Sequence, residues 1–210
     1  METQKQFKRR FSFEFFPPKT DKGWEKLQGV RNTLAEVDPD FFSVTFGAGG
    51  STRDRTVQTV LDLHKRGVST APHLSCVGAT RDSIAELLDV YRDNGINRIV
   101  ALRGDMPSGM GAAGELRYAN ELVSFIREYS GDTFNIEVAA YPEFHPQART
   151  AEDDLKNFAR KVEAGANSAI TQYFFNADSY FYFIDRLEKM GVTIPVVPGI
   201  MPIVNFSNLT

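Results

Sequence analysis

The chain contains one cysteine, Cys76, and one tryptophan, Trp24. A lone cysteine excludes an intrachain disulfide and fits a reducing compartment. Histidine is nearly as scarce. His64, His73 and His145 are the only three, and no two stand at metal-ligand spacing, so no metal is expected. Net charge is −3, and the longest basic run is "KRR" at 8–10, which leaves no footprint for nucleic acid. No apolar run approaches the length of a membrane span. The polar N-terminal residues lack the apolar core of a signal peptide. The expectation is a cytoplasmic protein with no nucleic-acid or membrane partner.

What is abundant is phenylalanine, 17 of 210 residues. That much Phe implies a large core or a pocket that stacks on something flat. Apolar, strand-like runs recur roughly every 30 residues, as repeated βα units require. They are "FSFEFF" (11–16), "FFSVTF" (41–46), "TAPHLSC" (70–76), "RIVAL" (98–102), "FNIEVAAY" (134–141), "AITQYFF" (169–175) and "IPVVPGI" (194–200). Helical stripes lie between them, such as Ile84, Leu87, Leu88 and Tyr91, or Leu155, Phe158 and Val162. Gly67, Gly95, Gly131, Gly165 and Gly191 follow such stripes, where a helix ends in a left-handed residue. "TAED" at 150–153 reads as an N-cap.

Strands alternating with helices imply a parallel sheet. Two closures are open: a doubly wound sheet or a (β/α)8 TIM-type barrel. Even spacing and polar residues at the strand ends favour the barrel. The chain reads as one domain over 1–210, incomplete at the C-terminus, with seven of eight strands; it stops at "NFSNLT", where a seventh barrel helix should begin. Such a gap leaves strand edges exposed.

A barrel places its chemistry at the C-terminal strand ends. There the chain offers a polar ring: Glu14, Thr45, His73, Arg103 with Asp105, Tyr141 with His145, and Gln172. Alternation puts Phe11, Phe13 and Phe15 on one face of the first strand and Ser12 and Glu14 on the other. A carboxylate walled by aromatics loses hydration, its pKa rises, and it can serve as a general acid near neutral pH. An ion-pair partner for an Arg or Lys is the alternative. In "RGDMP" (103–107), Arg103 suits a phosphate and Asp105 a polar ring edge; a salt bridge plus a turn aspartate reads equally well. His73 is either a site residue or a core histidine. His64, on a helix, is expected at the surface.

Other motifs carry less. "GAGGST" (47–52) lacks the Gly-Lys-Ser/Thr ending of a phosphate loop. "GMGAAG" (109–114) matches the dinucleotide fingerprint in letters only, because "RGDMPS" separates it from its strand; it reads as a lid loop. No lysine lies inside a strand, which counts against a Schiff-base aldolase. There is no G-x-S-x-G elbow. Asp154, Asn157 and Lys161 share one helix face, which pattern alone assigns to solvent.

Taken in order, "FSFEFFPPK", "SVTFGAGGSTRDRT", "APHLSC", "ALRGDMP", "VAAYPEFHP", "DLKNFARKVEAGAN", "AITQYFF" and "PGIMPI" resemble the methylenetetrahydrofolate reductases of the bacterial FAD-dependent type. The resemblance runs from about residue 10 to the end. It implies a (β/α)8 barrel with FAD at the strand C-termini. It implies reduction of 5,10-methylenetetrahydrofolate to 5-methyltetrahydrofolate, with NADH or NADPH taking its turn on the same flavin. It makes Glu14 the acid and places Asp105 near flavin and pterin, with Gln172 against the substrate. It puts Thr45, His73, Arg103, Gly104, Asp105, Tyr118, Ala119, Ala139, Tyr141, His145, Ala148, Asp154, Asn157, Arg160 and Lys161 on the FAD. Homo-oligomers are common in the family. Members continue past Thr210, so the alternative is a non-catalytic barrel fragment that binds flavin weakly or not at all.

Overall fold

The structure is a computed structural model, and it describes residues 1–47, 53–105 and 114–203. The "GAGGST" turn and the "GMGAAG" loop lie almost wholly outside the described residues. The seven apolar runs form β1 (Ser12–Phe15), β2 (Phe41–Val44), β3 (Thr70–Ser75), β4 (Arg98–Leu102), β5 (Asn135–Ala140), β6 (Ser168–Thr171) and β7 (Val196–Val197). Each pairs with its sequence neighbours, in order from β1 to β7, and every pairing is parallel. Six helices fill the crossovers: α2 (Asp21–Ala35), α3 (Arg53–Lys65), α4 (Arg81–Asp93), α5 (Ala119–Ser130), α6 (Ala151–Glu163) and α7 (Ala177–Lys189). This is a TIM-type sheet with seven strands. A short α1 (Glu2–Lys5), not anticipated from sequence, precedes β1.

Helix ends obey local chemistry. Thr20, Thr80 and Thr150 accept at their hydroxyls from the backbone N–H of Gly23, Ser83 and Asp153. All five glycines expected after helices have positive φ. β7 is much shorter than its apolar run, because Pro195 and Pro198 remove ladder donors on both sides of it.

Strand alternation sorts the core into two layers. Phe15, Phe42, Leu74, Ile99 and Val138 face the helices and pack with residues such as Leu63, Leu88, Ile126 and Phe158. Burying each such side chain contributes about 1.5–3 kcal/mol. Phe13 and Phe15 both touch the Phe42 ring, at 6.3 and 5.1 Å between centroids. Phe11 does not join them. It precedes the strand and is 68% exposed, contrary to the simple alternation. On the inner face Phe41, Ala71 and Val100 cluster with Leu102 and Ile170.

Among the described residues the sheet ends at β1 and at β7. The outward groups of β7 are nevertheless satisfied. Gln4 Nε2 donates to the Ile194 carbonyl at 3.1 Å, and the Val196 N–H donates to Gln4 Oε1 at 2.9 Å. Tyr180 Oη donates to the Val196 carbonyl at 2.7 Å. One glutamine thus stands in for a strand's backbone.

Candidate active site

Parallel pairing brings all the strand C-termini to one end, where a cavity of about 1020 Å³ opens. Glu14, His73, Arg103, Gly104, Asp105, Tyr118, Ala119, Ala139, Tyr141, His145, Ala148, Asp154, Asn157, Arg160, Lys161 and Gln172 all line it. Thr45 does not. Its N–H donates to the Phe15 carbonyl and its own carbonyl accepts from Thr56 Oγ1, so its backbone finishes the β1–β2 ladder.

At the β1–β3 side stand Glu14 and His73. Glu14 Oε2 lies 3.7 Å from His73 Nε2. Partial burial raises the Glu14 carboxyl pKa. The aromatic wall expected from "FSFEFF" is not its cause. Phe13 and Phe15 face the helices, Phe16 is 79% exposed, and the Glu14 side chain remains 52% exposed. His73 is buried, and burial lowers its pKa to about 4. Its Nε2 has no hydrogen-bond partner.

The opposite side is built by α6 and the turn after β5. Thr150 caps α6, which puts Asp154, Asn157 and Lys161 on the cavity, Asp154 and Lys161 partly buried there and Asn157 exposed at it. Lys161 Nζ donates to the Ala139 carbonyl at 2.5 Å, and burial lowers its pKa to about 8. Asp154 Oδ2 accepts the His145 N–H at 3.1 Å. Phe144, at φ +56°, turns the chain so that His145 meets the Tyr141 ring edge-on, 4.6 Å between centroids. His145 Nδ1 accepts from the Gln147 N–H, which leaves Nε2 to carry the proton. Arg103 donates to Gln147 Oε1 at 2.7 Å and has no carboxylate partner among the described residues.

Gly104, at φ +86°, lies on the cavity wall; a Cβ there would sit 1.9 Å from Ser75 Oγ. His64 departs from expectation. It is half-buried, and its Nδ1 is enclosed without a partner.

Against known proteins, the methylenetetrahydrofolate reductase family model matches residues 1–210. The chain belongs to the methylenetetrahydrofolate reductase family. It is 47% identical to the 5,10-methylenetetrahydrofolate reductase of Salmonella typhimurium and 46% identical to that of Escherichia coli, over 93% of this chain and 65% of each relative. It is 40% identical to the methylenetetrahydrofolate reductase (NADH) 1 of Zea mays, covering 35% of that protein. The chain therefore spans about two-thirds of the bacterial relatives' length. An uncharacterized protein from Clostridium thermocellum that binds two copies of 5-methyl-5,6,7,8-tetrahydrofolic acid shares the fold, with a TM-score of 0.65 at 16% identity over 94% of this chain and 67% of that one.

Sequence reading passed over a charged pair inside the sheet, Arg98 and Glu137. Glu137, in the middle of β5, is 2% exposed. It takes Arg98 on one oxygen and Ser168 Oγ on the other. Its strand position was the only available signal: Ile136 and Val138 face the helices, so Glu137 must face inward. Gln147 was also passed over, because its contact with Arg103 depends on the fold of the turn after β5.

Proposed function

We propose that this chain is the flavin- and folate-binding part of a reductase that converts 5,10-methylenetetrahydrofolate to 5-methyltetrahydrofolate. NADH or NADPH is the electron source, and FAD links the two half-reactions. The single observation that carries the reading is the polarity of one cavity. A carboxyl of raised pKa stands at its β1–β3 side and cationic Arg103, Arg160 and Lys161 stand across from it.

FAD, a flat ring on a dianionic tether, suits that donor set. Lys161 and Arg160 supply charge for phosphates, and Asn157, one turn earlier on the same helix, accepts from Arg160 at 2.8 Å. Gly104 lets a ligand approach the backbone where any Cβ would collide. Bound flavin supplies hydride chemistry. The chain supplies the proton. Glu14, whose hold on its proton is strengthened by partial desolvation, delivers that proton to folate N10, which opens the five-membered ring to an N5 iminium cation. Asp105, at the mouth, stabilises that cation, and Gln172 binds the pterin edge.

Glu14 belongs to β1, which ends the sheet among the described residues. That placement favours a second reading, a flavin-binding half-site without turnover. One experiment separates the two. The purified chain is saturated with FAD, reduced anaerobically with NADH, then mixed with methylenetetrahydrofolate. The reductase reading predicts a flavin spectrum that bleaches and then recovers. Bound flavin that never recovers selects the half-site, and failure to take up FAD overturns both.

A further inference from the structure

We infer that His73 is the positioning residue of Glu14: its Nε2–H holds Glu14 Oε2, so that Oε1 presents the acidic proton to the ligand. The mechanistic meaning rests on the proposed reductase chemistry; the contact itself does not.

The two side chains come from β1 and β3 and reach the same cavity across β2. His73 Nε2 is enclosed, unpartnered and 3.7 Å from Oε2. A buried polar atom without a partner costs about 1–3 kcal/mol, and one small rotation of the half-exposed Glu14 removes that cost. The other ionisable groups that line the cavity among the described residues belong to other elements: Arg103 and Asp105 after β4, Tyr118 before α5, Tyr141, His145 and Arg149 after β5, and Asp153, Asp154, Lys156, Arg160 and Lys161 on α6. β2 contributes none to it.

Chemistry selects the tautomer. Burial keeps the imidazole neutral near pH 7, so one nitrogen donates and the other accepts. An Nε2–H toward Oε2 is favourable whether Glu14 is an acid or a carboxylate. An Nε2 lone pair is favourable only toward the acid, and it faces an anion once the proton has left. The donor form therefore serves both ends of the proton transfer. It also differs from a proton relay. A His with a pKa near 4 stores no proton at neutral pH, so Glu14 is recharged from solvent.

The test uses the ligand-free protein. Carbon NMR of labelled glutamate follows the Glu14 titration in wild type, His73→Leu and His73→Gln, and nitrogen NMR reads the His73 tautomer in wild type. We expect a protonated Nε2. We also expect the Glu14 pKa to rise by about one unit in His73→Leu, the size of one lost hydrogen bond to the charged form, and to return part-way in His73→Gln. An unchanged Glu14 titration makes His73 a packing residue and overturns the inference, as does a bare Nε2 or a fall in the Glu14 pKa. Because Leu can fail to fold, the wild-type tautomer decides alone if needed. Turnover with an unshifted Glu14 rejects only this inference; a shifted Glu14 without turnover rejects only the reductase reading.

Discussion

Arg98 and Glu137 form an ion pair inside the sheet, one strand apart, below the apolar layer of Val100, Leu102 and Ile170. Ser168 Oγ donates to the second Glu137 oxygen at 2.5 Å, and the guanidinium lies 4.6 Å over the Phe41 ring. Both oxygens of the buried Glu137 carboxylate have a partner, as burial demands.

Removing one partner strands the other. Arg98→Met is expected to destabilise the chain by about 3–5 kcal/mol, and Arg98→Met with Glu137→Leu to recover most of that loss. Urea unfolding of the two singles and the double gives the coupling. Additive losses would show that the pair does not act as a unit.

Gly104→Ala should damage the site and the fold together. An alanine in the left-handed region costs about 1–2 kcal/mol, and its Cβ also lands on the Ser75 hydroxyl, which donates to the Arg103 carbonyl at 2.8 Å. The expected result is lower stability and at least a tenfold loss of flavin affinity. Adding Ser75→Ala should restore part of the stability. Flavin fluorescence titration and urea melts check both.

His73 should make the fold acid-sensitive. The unfolded chain takes up a proton near pH 6.5 that the folded chain refuses until about pH 4. Stability therefore falls as pH drops through that window, by about 3 kcal/mol if His73 acted alone. Glu14 opposes it, because a raised carboxyl pKa favours the folded state at low pH and that contribution fades as pH rises. His73→Leu should abolish the His73 slope and leave the weaker opposite one. Unfolding free energies from pH 4 to 7 would reveal either pattern.

Gln4→Ala should unmask β7. Two edge groups, the Val196 N–H and the Ile194 carbonyl, lose their partner. The expected cost is about 1–2 kcal/mol, with concentration-dependent association through the bared edge. Sedimentation across a concentration series would detect it, and a strictly monodisperse variant would refute it.

Much of the scaffold is readable in the sequence. Helix-ending glycines and apolar runs report local backbone needs, so β2 to β6 and their helices emerge near their predicted places. Glu14, His73 and Gln172 were legible as cavity-lining residues because a parallel sheet carries its strand ends to one mouth. The solvent assignment failed for Asp154 and Lys161, though not for the exposed Asn157, for a physical reason. An amphipathic stripe states that one helix face differs from the other, but not that the polar face borders a cavity. Arg98 and Glu137 were unreadable as a pair because only strand register makes them neighbours. Phe11 misled because alternation begins at Ser12, where the ladder begins.

Glu14 sits on a strand whose far side has no neighbour among the described residues. The carboxyl is half-exposed, so its acidity responds to whatever covers it. Any segment laid along β1 would strip water from the half-exposed carboxyl and push its pKa higher, converting an act of assembly into a stronger hold on the proton.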